Sequence, residues 1–116
     1  MEKTLQDVVI VAAGRSAIGR AFKGSLKNTH PVDLGGLVLK GVLEKVPALD
    51  PALIEDVVVG CARPEAKQGQ NIGRLIALRA GLPVTACGQT VNRYCSSGLQ
   101  AISTAANMIM TGQSEV

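Results

Sequence analysis

The chain has 116 residues, of which 47% are hydrophobic and 18% are charged, and its formal net charge is +3. This length and composition indicate one small globular domain and exclude a disordered chain. Basic and acidic residues are interspersed and only 2% of residues are aromatic, so the sequence lacks the basic, aromatic-bearing surface typical of nucleic-acid binding.

The first part of the chain predicts a strand, a loop and a helix. Residues 8–13 form a continuous and largely β-branched apolar run, which is typical of a strand covered on both faces. Residues 14–30 are polar and contain several glycines, so we expect a loop there. Pro31 begins a helix with Asp33 in its first turn, and this helix is expected to end before Pro47. Its apolar residues recur at helical spacing: Leu34, Leu37, Val38 and Val42.

The middle of the chain predicts a second strand and a second helix. Asp50 is expected to cap a single turn at residues 51–53. The valines at residues 57–59 form a short buried strand. Residues 71–80 are predicted to be helical, and Gly81 marks the end of that helix. Its apolar face consists of Ile72, Leu75 and Ile76.

The last part predicts a third strand at residues 90–94 and a third helix from residue 98 to Gly112. One apolar side of this helix is made by Leu99, Ile102, Ala106 and Ile109, and a second side by Ala101, Ala105 and Met108. A helix with two apolar sides is expected to be buried on both. The second side should therefore meet another layer, supplied by a partner or by further chain.

Together these elements predict an α/β fold in the order β-α-β-α-β-α. Alternation of strands and helices favours parallel strands with right-handed crossovers, in layers of sheet and helices. Residues 1–116 are expected to form one partial domain, with no second domain present. Residues 115–116 are interpreted as the approach to a fourth strand, before which the chain is truncated.

The cysteines and the histidine exclude several kinds of site. Cys61, Cys87, Cys95 and His30 have neither the spacing of a disulfide framework nor that of a metal site. Free thiols favour a reducing compartment, and the apolar run at residues 8–13 is too short for a signal peptide. No segment is long and apolar enough to span a membrane. We therefore expect a cytoplasmic protein without a metal or a membrane partner.

Cys95 carries the strongest chemical signal in the sequence. It lies where the predicted third strand passes into the third helix, and the unpaired N–H groups of a helix start favour a thiolate. The same groups could hold an oxyanion on an attached acyl carbon, and ligands bind at the carboxyl ends of parallel strands. Cys95 is thus a candidate nucleophile. The alternative is a small buried cysteine that fills the helix start.

The residues around Cys95 resemble a known family. Residues 90–101, Thr-Val-Asn-Arg-Tyr-Cys-Ser-Ser-Gly-Leu-Gln-Ala, resemble the acyl-acceptor segment of thiolases, in a form closer to degradative 3-ketoacyl-CoA thiolases than to biosynthetic ones. Ser16-Ala17 stands where the family usually has Thr-Pro, a departure that bears on the loop and not on the family. Four further segments resemble the family in order: residues 8–19, 70–74, 80–83 and 110–112.

The resemblance implies a partial thiolase N-terminal domain in which Cys95 accepts the acyl group. In the implied ping-pong reaction, Cys95 attacks a 3-ketoacyl-CoA, acetyl-CoA leaves, and free CoA takes the acyl group from sulfur; the reverse reaction is a condensation. Coenzyme A is then a substrate, no permanently bound cofactor is expected, and the complete enzyme is expected to be a dimer or tetramer. The family's activating histidine and second cysteine belong to later parts of the chain, so residues 1–116 alone are expected to be inactive. His30 is then expected to cap or face solvent, and Cys61 and Cys87 to pack.

Two other functions stay open. The chain could act only in folding or subunit association, through its third helix and an unpaired sheet edge, with residues 90–94 as a contact. It could also belong to a related condensing enzyme, such as a ketoacyl synthase, because those enzymes also place a cysteine at a helix start. Three arginines could bind the phosphates of CoA or form salt bridges between layers: Arg74, Arg79 and Arg93.

Overall fold

Three helices and a two-stranded sheet make up the computed structural model, which describes residue 2 and residues 4–116. The helices are α1 at Pro31–Leu43, α2 at Ile72–Arg79 and α3 at Ser97–Met110. The strands are β1 at Asp56–Gly60 and β2 at Cys87–Val91. Single 3-10 turns lie at Pro51–Leu53, Ala66–Gln68 and Tyr94–Ser96.

Local signals set the start of the first helix and of the first turn. His30 caps α1, because its Nδ1 accepts a hydrogen bond of 3.2 Å from the Val32 N–H. Asp50 Oδ1 accepts a bond of 2.9 Å from the Ala52 N–H and caps the turn at Pro51–Leu53. Both caps confirm the sequence-based interpretation. Leu37 was predicted to lie on the apolar face of α1, but it faces solvent with 67% of its surface exposed.

The sheet pairs β1 with β2 in parallel, from Asp56 opposite Cys87 to Gly60 opposite Val91. Parallel pairing confirms the sequence-based prediction, but the predicted bounds of the last strand, residues 90–94, were wrong. The strand starts at Cys87 and ends at Val91. Gly88 has little strand propensity of its own, and pairing with β1 overrides it.

Helices cover the two faces of the sheet. Val57 and Val59 point to one face, where they pack in the clusters that include residues of α2. Asp56 and Val58 alternate to the other face and lie beside α3. On that face, Gln89 Nε2 donates a bond of 2.7 Å to Asp56 Oδ2. The chain therefore forms a helix–sheet–helix arrangement, and α1 packs on α2 outside the first face.

Small aliphatic side chains form the core under α2. Ala77 is fully buried and Ile72 and Ile76 are nearly so, whereas Leu75, predicted on the same face, is partly exposed. The remaining buried apolar residues around this helix are Ile54, Cys61, Leu82 and Ala86. The core thus follows from the aliphatic composition of the sequence.

Asn71 and Thr90 fasten the start of α2 to β2. Asn71 Nδ2 donates a bond of 2.7 Å to the Gly88 carbonyl, and Asn71 Oδ1 accepts one of 2.9 Å from Thr90 Oγ1. Thr90 Oγ1 in turn accepts a bond of 3.1 Å from the Gly73 N–H. These bonds fix where α2 begins relative to the strand that precedes Cys95.

Residues 8–13 do not form the predicted covered strand. They are neither helical nor paired in the sheet, and Val9, Ile10 and Val11 are 70–79% exposed. The Ala13 carbonyl accepts a bond of 2.5 Å from Lys45 Nζ. Apolar, β-branched sequence indicates that a segment suits a strand, but a strand also needs a partner edge, and in the described residues β1 pairs only with β2.

The third helix also differs from expectation. The side of α3 formed by Ala101, Ala105 and Met108 packs towards the sheet, as predicted. On the other side Leu99 and Ile102 are 73% and 59% exposed, so the helix is not buried on both sides. Residues 115–116 are not a strand, although the Val116 carbonyl accepts a bond of 3.0 Å from the N–H of Glu55, just before β1. Among the described residues, no helix has the length and hydropathy of a membrane span.

Candidate active site

Cys95 lies in the turn Tyr94–Ser96, between the end of β2 and the first residue of α3. Its thiol is free and the residue is exposed. Because the carboxyl ends of parallel strands in α/β proteins are where ligands bind, this is the expected edge of the sheet for a reactive group. The alternative of a buried cysteine that fills the helix start is excluded by its exposure.

Side chains next to Cys95 hold the turn in shape. Asn92 Oδ1 accepts a bond of 2.9 Å from the Tyr94 N–H. Ser97 Oγ accepts a bond of 2.9 Å from the Arg93 N–H and donates one of 2.6 Å to the Tyr94 carbonyl. Ser96 Oγ donates a bond of 3.0 Å to the Arg93 carbonyl. The side chains of the turn thus stabilise its own backbone. Short polar residues commonly form such hydrogen bonds in turns.

Tyr94 adopts a strained backbone conformation immediately before Cys95. Its φ is +48°, in the left-handed region that residues with a side chain rarely enter. Such a conformation costs on the order of 1 kcal/mol and persists only where the surroundings impose it. The strain gives a sharp change of direction between Arg93 and Ser96, which leaves Cys95 at the surface.

Gly60 allows the start of α3 to press against the end of β1. A Cβ atom at Gly60 would lie 2.3 Å from the Ser97 carbonyl carbon and 2.5 Å from the Gly98 N. Ser97, on the other side of this contact, is only 4% exposed. The position of the Cys95 turn is therefore tied to the sheet through a contact that only glycine permits.

A shallow groove runs along α3 beside the Cys95 turn. Its volume is about 220 Å³, and its lining residues are Arg93, Ser96, Leu99, Gln100 and Ser103. The lining thus contains one guanidinium group, two hydroxyl groups and one amide group, together with the apolar side chain of Leu99. The groove offers both polar and apolar contacts to a molecule that reaches Cys95.

The arginines considered as phosphate ligands have different surroundings. The Arg74 guanidinium donates hydrogen bonds to the carbonyls of Ala86 and Val84, which links α2 to the segment before β2. Arg79 forms an ion pair with Asp33, and this hydrogen bond holds the pKa of the Asp33 carboxyl below its ordinary value of 3.8. Both side chains thus fit the interpretation as links between elements, whereas Arg93 lines the groove.

The other candidate side chains are not brought to Cys95. His30 caps α1, as the sequence suggested. Cys61 is buried beside Ile72 and Ile76, which confirms its packing role. Cys87 is exposed at the first position of β2, so its predicted packing role was wrong. Sequence reasoning gave no role to Asn92 or Ser97, although an asparagine two residues before a turn residue is an Asx-turn signal.

These features define the class of the protein: a parallel α/β domain that presents a free cysteine between a strand end and a helix start. The sequence profile described as "Thiolase, N-terminal domain" matches residues 8–116. The chain belongs to the thiolase family, which is an enzyme family of the acyltransferase class.

Curated relatives agree with this assignment. The chain is 47% identical over 108 residues to a 3-ketoacyl-CoA thiolase of Bacillus subtilis (strain 168), across 93% of this chain and 27% of that protein. It is 40% identical over 116 residues to a 3-ketoacyl-CoA thiolase of Marinomonas sp. (strain MWYL1), across 100% of this chain and 30% of that protein. It is 45% identical over 111 residues to a third 3-ketoacyl-CoA thiolase, from Saccharophagus degradans, across 96% of this chain and 28% of that protein. The chain therefore spans 27% to 30% of the length of these relatives.

Proposed function

We propose that Cys95 accepts the acyl group in thiolytic cleavage of a 3-ketoacyl-CoA, or in the reverse condensation. The observation that carries the proposal is the exposed thiol of Cys95 at the carboxyl end of β2 and directly before α3. Membership of the thiolase family and similarity to 3-ketoacyl-CoA thiolases support the substrate class. Coenzyme A is proposed as a substrate and not as a permanently bound cofactor.

The proposed reaction has two steps joined by a thioester. The thiolate of Cys95 attacks the keto carbon of the substrate, the bond between that carbon and the neighbouring methylene carbon breaks, and this methylene takes a proton to leave as acetyl-CoA. The thiol of free CoA then gives up its proton and attacks the thioester carbon, which returns the Cys95 thiolate. Covalent catalysis suits this exchange because the thioester preserves the activated acyl group between the two steps.

The surroundings of Cys95 support the first step. A helix start carries roughly half a positive charge, which favours an oxyanion that develops on the attacked carbon. The N–H of Cys95 is the proposed oxyanion donor. The activating histidine and the second cysteine that the family resemblance implies are proposed to lie outside residues 1–116, since His30 serves as a helix cap and Cys61 is buried.

Acetyl transfer to the chain itself tests the proposal. Wild type, Cys95→Ala and Cys87→Ala chains are incubated with acetyl-CoA and measured by intact-mass spectrometry. We expect one acetyl group on wild type and on Cys87→Ala, and none on Cys95→Ala. Cys87→Ala is the matched control because Cys87 is also free and exposed. An acetyl group that persists on Cys95→Ala would contradict the proposed acceptor.

A second candidate function is association without catalysis, and the exposed side of α3 favours it. Leu99 and Ile102 leave large apolar side chains in solvent on one side of this helix. Association predicts dimers or larger species in sedimentation velocity, which Ile102→Lys should dissociate. A monomer at high concentration would count against this function. Free cysteines throughout the described chain fit a reducing compartment, and we propose the cytoplasm.

A further inference from the structure

The turn that carries Cys95 contains a backbone conformation that its own sequence disfavours. Tyr94 has a φ of +48° and an exposed side chain, so no packing of the tyrosine ring in this chain imposes that conformation. Left-handed backbone at a residue with a side chain persists only when neighbouring contacts require it. Something else in the turn must therefore supply the constraint.

Ser97 makes the contacts that meet this requirement. Its hydroxyl accepts from the Arg93 N–H at 2.9 Å and donates to the Tyr94 carbonyl at 2.6 Å, so it links the Asn92–Arg93 peptide group to the Tyr94–Cys95 peptide group across the strained residue. The residue is 4% exposed, and bonds shielded from water are stronger than exposed ones. The backbone of Ser97 is held in turn by the close approach of Gly60 at the end of β1.

We propose that Ser97 is a positioning residue for Cys95: its buried hydroxyl holds Tyr94 in the left-handed turn, and the turn keeps the Cys95 thiol at the N-terminus of α3. The inference rests on the proposed function for its relevance to acyl transfer. It deepens that function by assigning a role to a neighbour that does not contact the reacting atoms. Asn92 assists through its bond to the Tyr94 N–H.

Two consequences follow for the reactivity of the thiol. While the turn is held, the Cys95 thiol stands exposed and in a fixed orientation at the start of α3. Without the Ser97 hydroxyl, the turn relaxes and Cys95 leaves that position, so its reactivity approaches that of an ordinary exposed cysteine. Cys87, which is free and exposed on a strand of the same chain, provides that reference within each molecule.

The test is the ratio of alkylation rates of Cys95 and Cys87 with iodoacetamide at neutral pH, followed by peptide mass spectrometry. The wild-type ratio is expected to be about ten and that of Ser97→Ala about one, because loss of the two hydrogen bonds of the Ser97 hydroxyl releases the turn. Ser114→Ala is the matched control, since Ser114 is a buried serine at the far end of α3. Its ratio should equal that of wild type.

A rescue separates positioning from a general loss of structure. Glycine adopts a positive φ without strain, so Tyr94→Gly in the Ser97→Ala background is expected to raise the ratio back towards wild type. If Ser97→Ala does not fold, as judged by circular dichroism, Asn92→Ala takes its place, because Asn92 is exposed and bonds to the same turn. It should lower the ratio by a smaller factor.

Three results would overturn the inference: a wild-type ratio near one, an unchanged ratio in folded Ser97→Ala, or an unchanged ratio in Asn92→Ala where Ser97→Ala is unfolded. None of these decides whether Cys95 accepts an acyl group, which acetylation measures separately. Conversely, an acetyl group that persists on Cys95→Ala, together with the expected alkylation ratios, would retain the positioning role and lose the proposed function.

Discussion

Replacing Gly73 with alanine is expected to lower the free energy of unfolding by about 3 kcal/mol, at the upper end of the usual cost of overpacking a core. Gly73 is the second residue of α2 and is buried. Its added Cβ would lie 2.2 Å from the carbonyl oxygen of Gln89 in β2, and no flexible side chain is available to move aside. Helix and strand must separate, which also breaks the bond between the Gly73 N–H and Thr90 Oγ1.

The measurement is urea denaturation followed by far-UV circular dichroism, with Gly41→Ala as the matched control. Gly41 is inside α1, and a Cβ there would meet nothing within 4 Å. Alanine in a helix interior is more favourable than glycine by about 0.8–1.0 kcal/mol, so this variant should be more stable than wild type. Equal midpoints for the two variants would show that α2 and β2 do not depend on the close approach.

Replacing Gly60 with alanine is expected to affect both stability and the thiol. The added Cβ would overlap the carbonyl carbon of Ser97 and the N of Gly98, so α3 must shift away from β1. We expect a loss of about 2–3 kcal/mol in the free energy of unfolding. Because the shift moves Ser97, the alkylation rate of Cys95 should fall towards that of Cys87 in the molecules that remain folded.

Denaturation and alkylation of Gly60→Ala are compared with denaturation of Gly98→Ala. Gly98 lies in the first turn of α3, and its added Cβ would meet nothing within 4 Å. The same substitution on the helix side of the contact, where a Cβ atom has room, should leave stability unchanged or slightly raised. Full stability and full Cys95 reactivity in Gly60→Ala would refute the contact as a determinant of the site.

Much of the helical structure could be predicted because its signals are local. Pro31 and Asp33 mark the start of α1, and Asp50 caps the turn that follows it. Gly81 and Gly112, after α2 and α3, both have positive φ and end their helices as expected. Each of these signals acts within one turn of the backbone, so a single sequence contains it.

The strands were harder to predict from sequence because a strand forms only where a neighbouring strand pairs with it. Residues 8–13 have the apolar sequence of a covered strand and yet are unpaired, whereas Gly88 has weak propensity and is paired. Gly88 belongs in β2 because the backbone of Arg74 approaches it closely. Contacts between segments far apart in sequence decide such cases.

The candidate site also combines features that local sequence predicts with features that depend on contacts between distant segments. A cysteine at a strand–helix junction, within a segment that resembles thiolases, could be selected from sequence alone. The left-handed conformation of Tyr94 and the bonds of Ser97 could not, because they depend on backbone angles and on the approach of Gly60. Composition around Cys95 indicates a turn, but only the geometry shows which side chain holds it.

The parallel pairing of β1 with β2 also constrains how fast the chain can fold. Asp56 opposes Cys87, so the two strands meet only after the intervening segment, including α2, has closed into a loop. Helix formation takes on the order of a microsecond or less, and contacts between distant segments form more slowly. We therefore expect the Cys95 turn, which follows β2 and packs on Gly60 of β1, to form after α2.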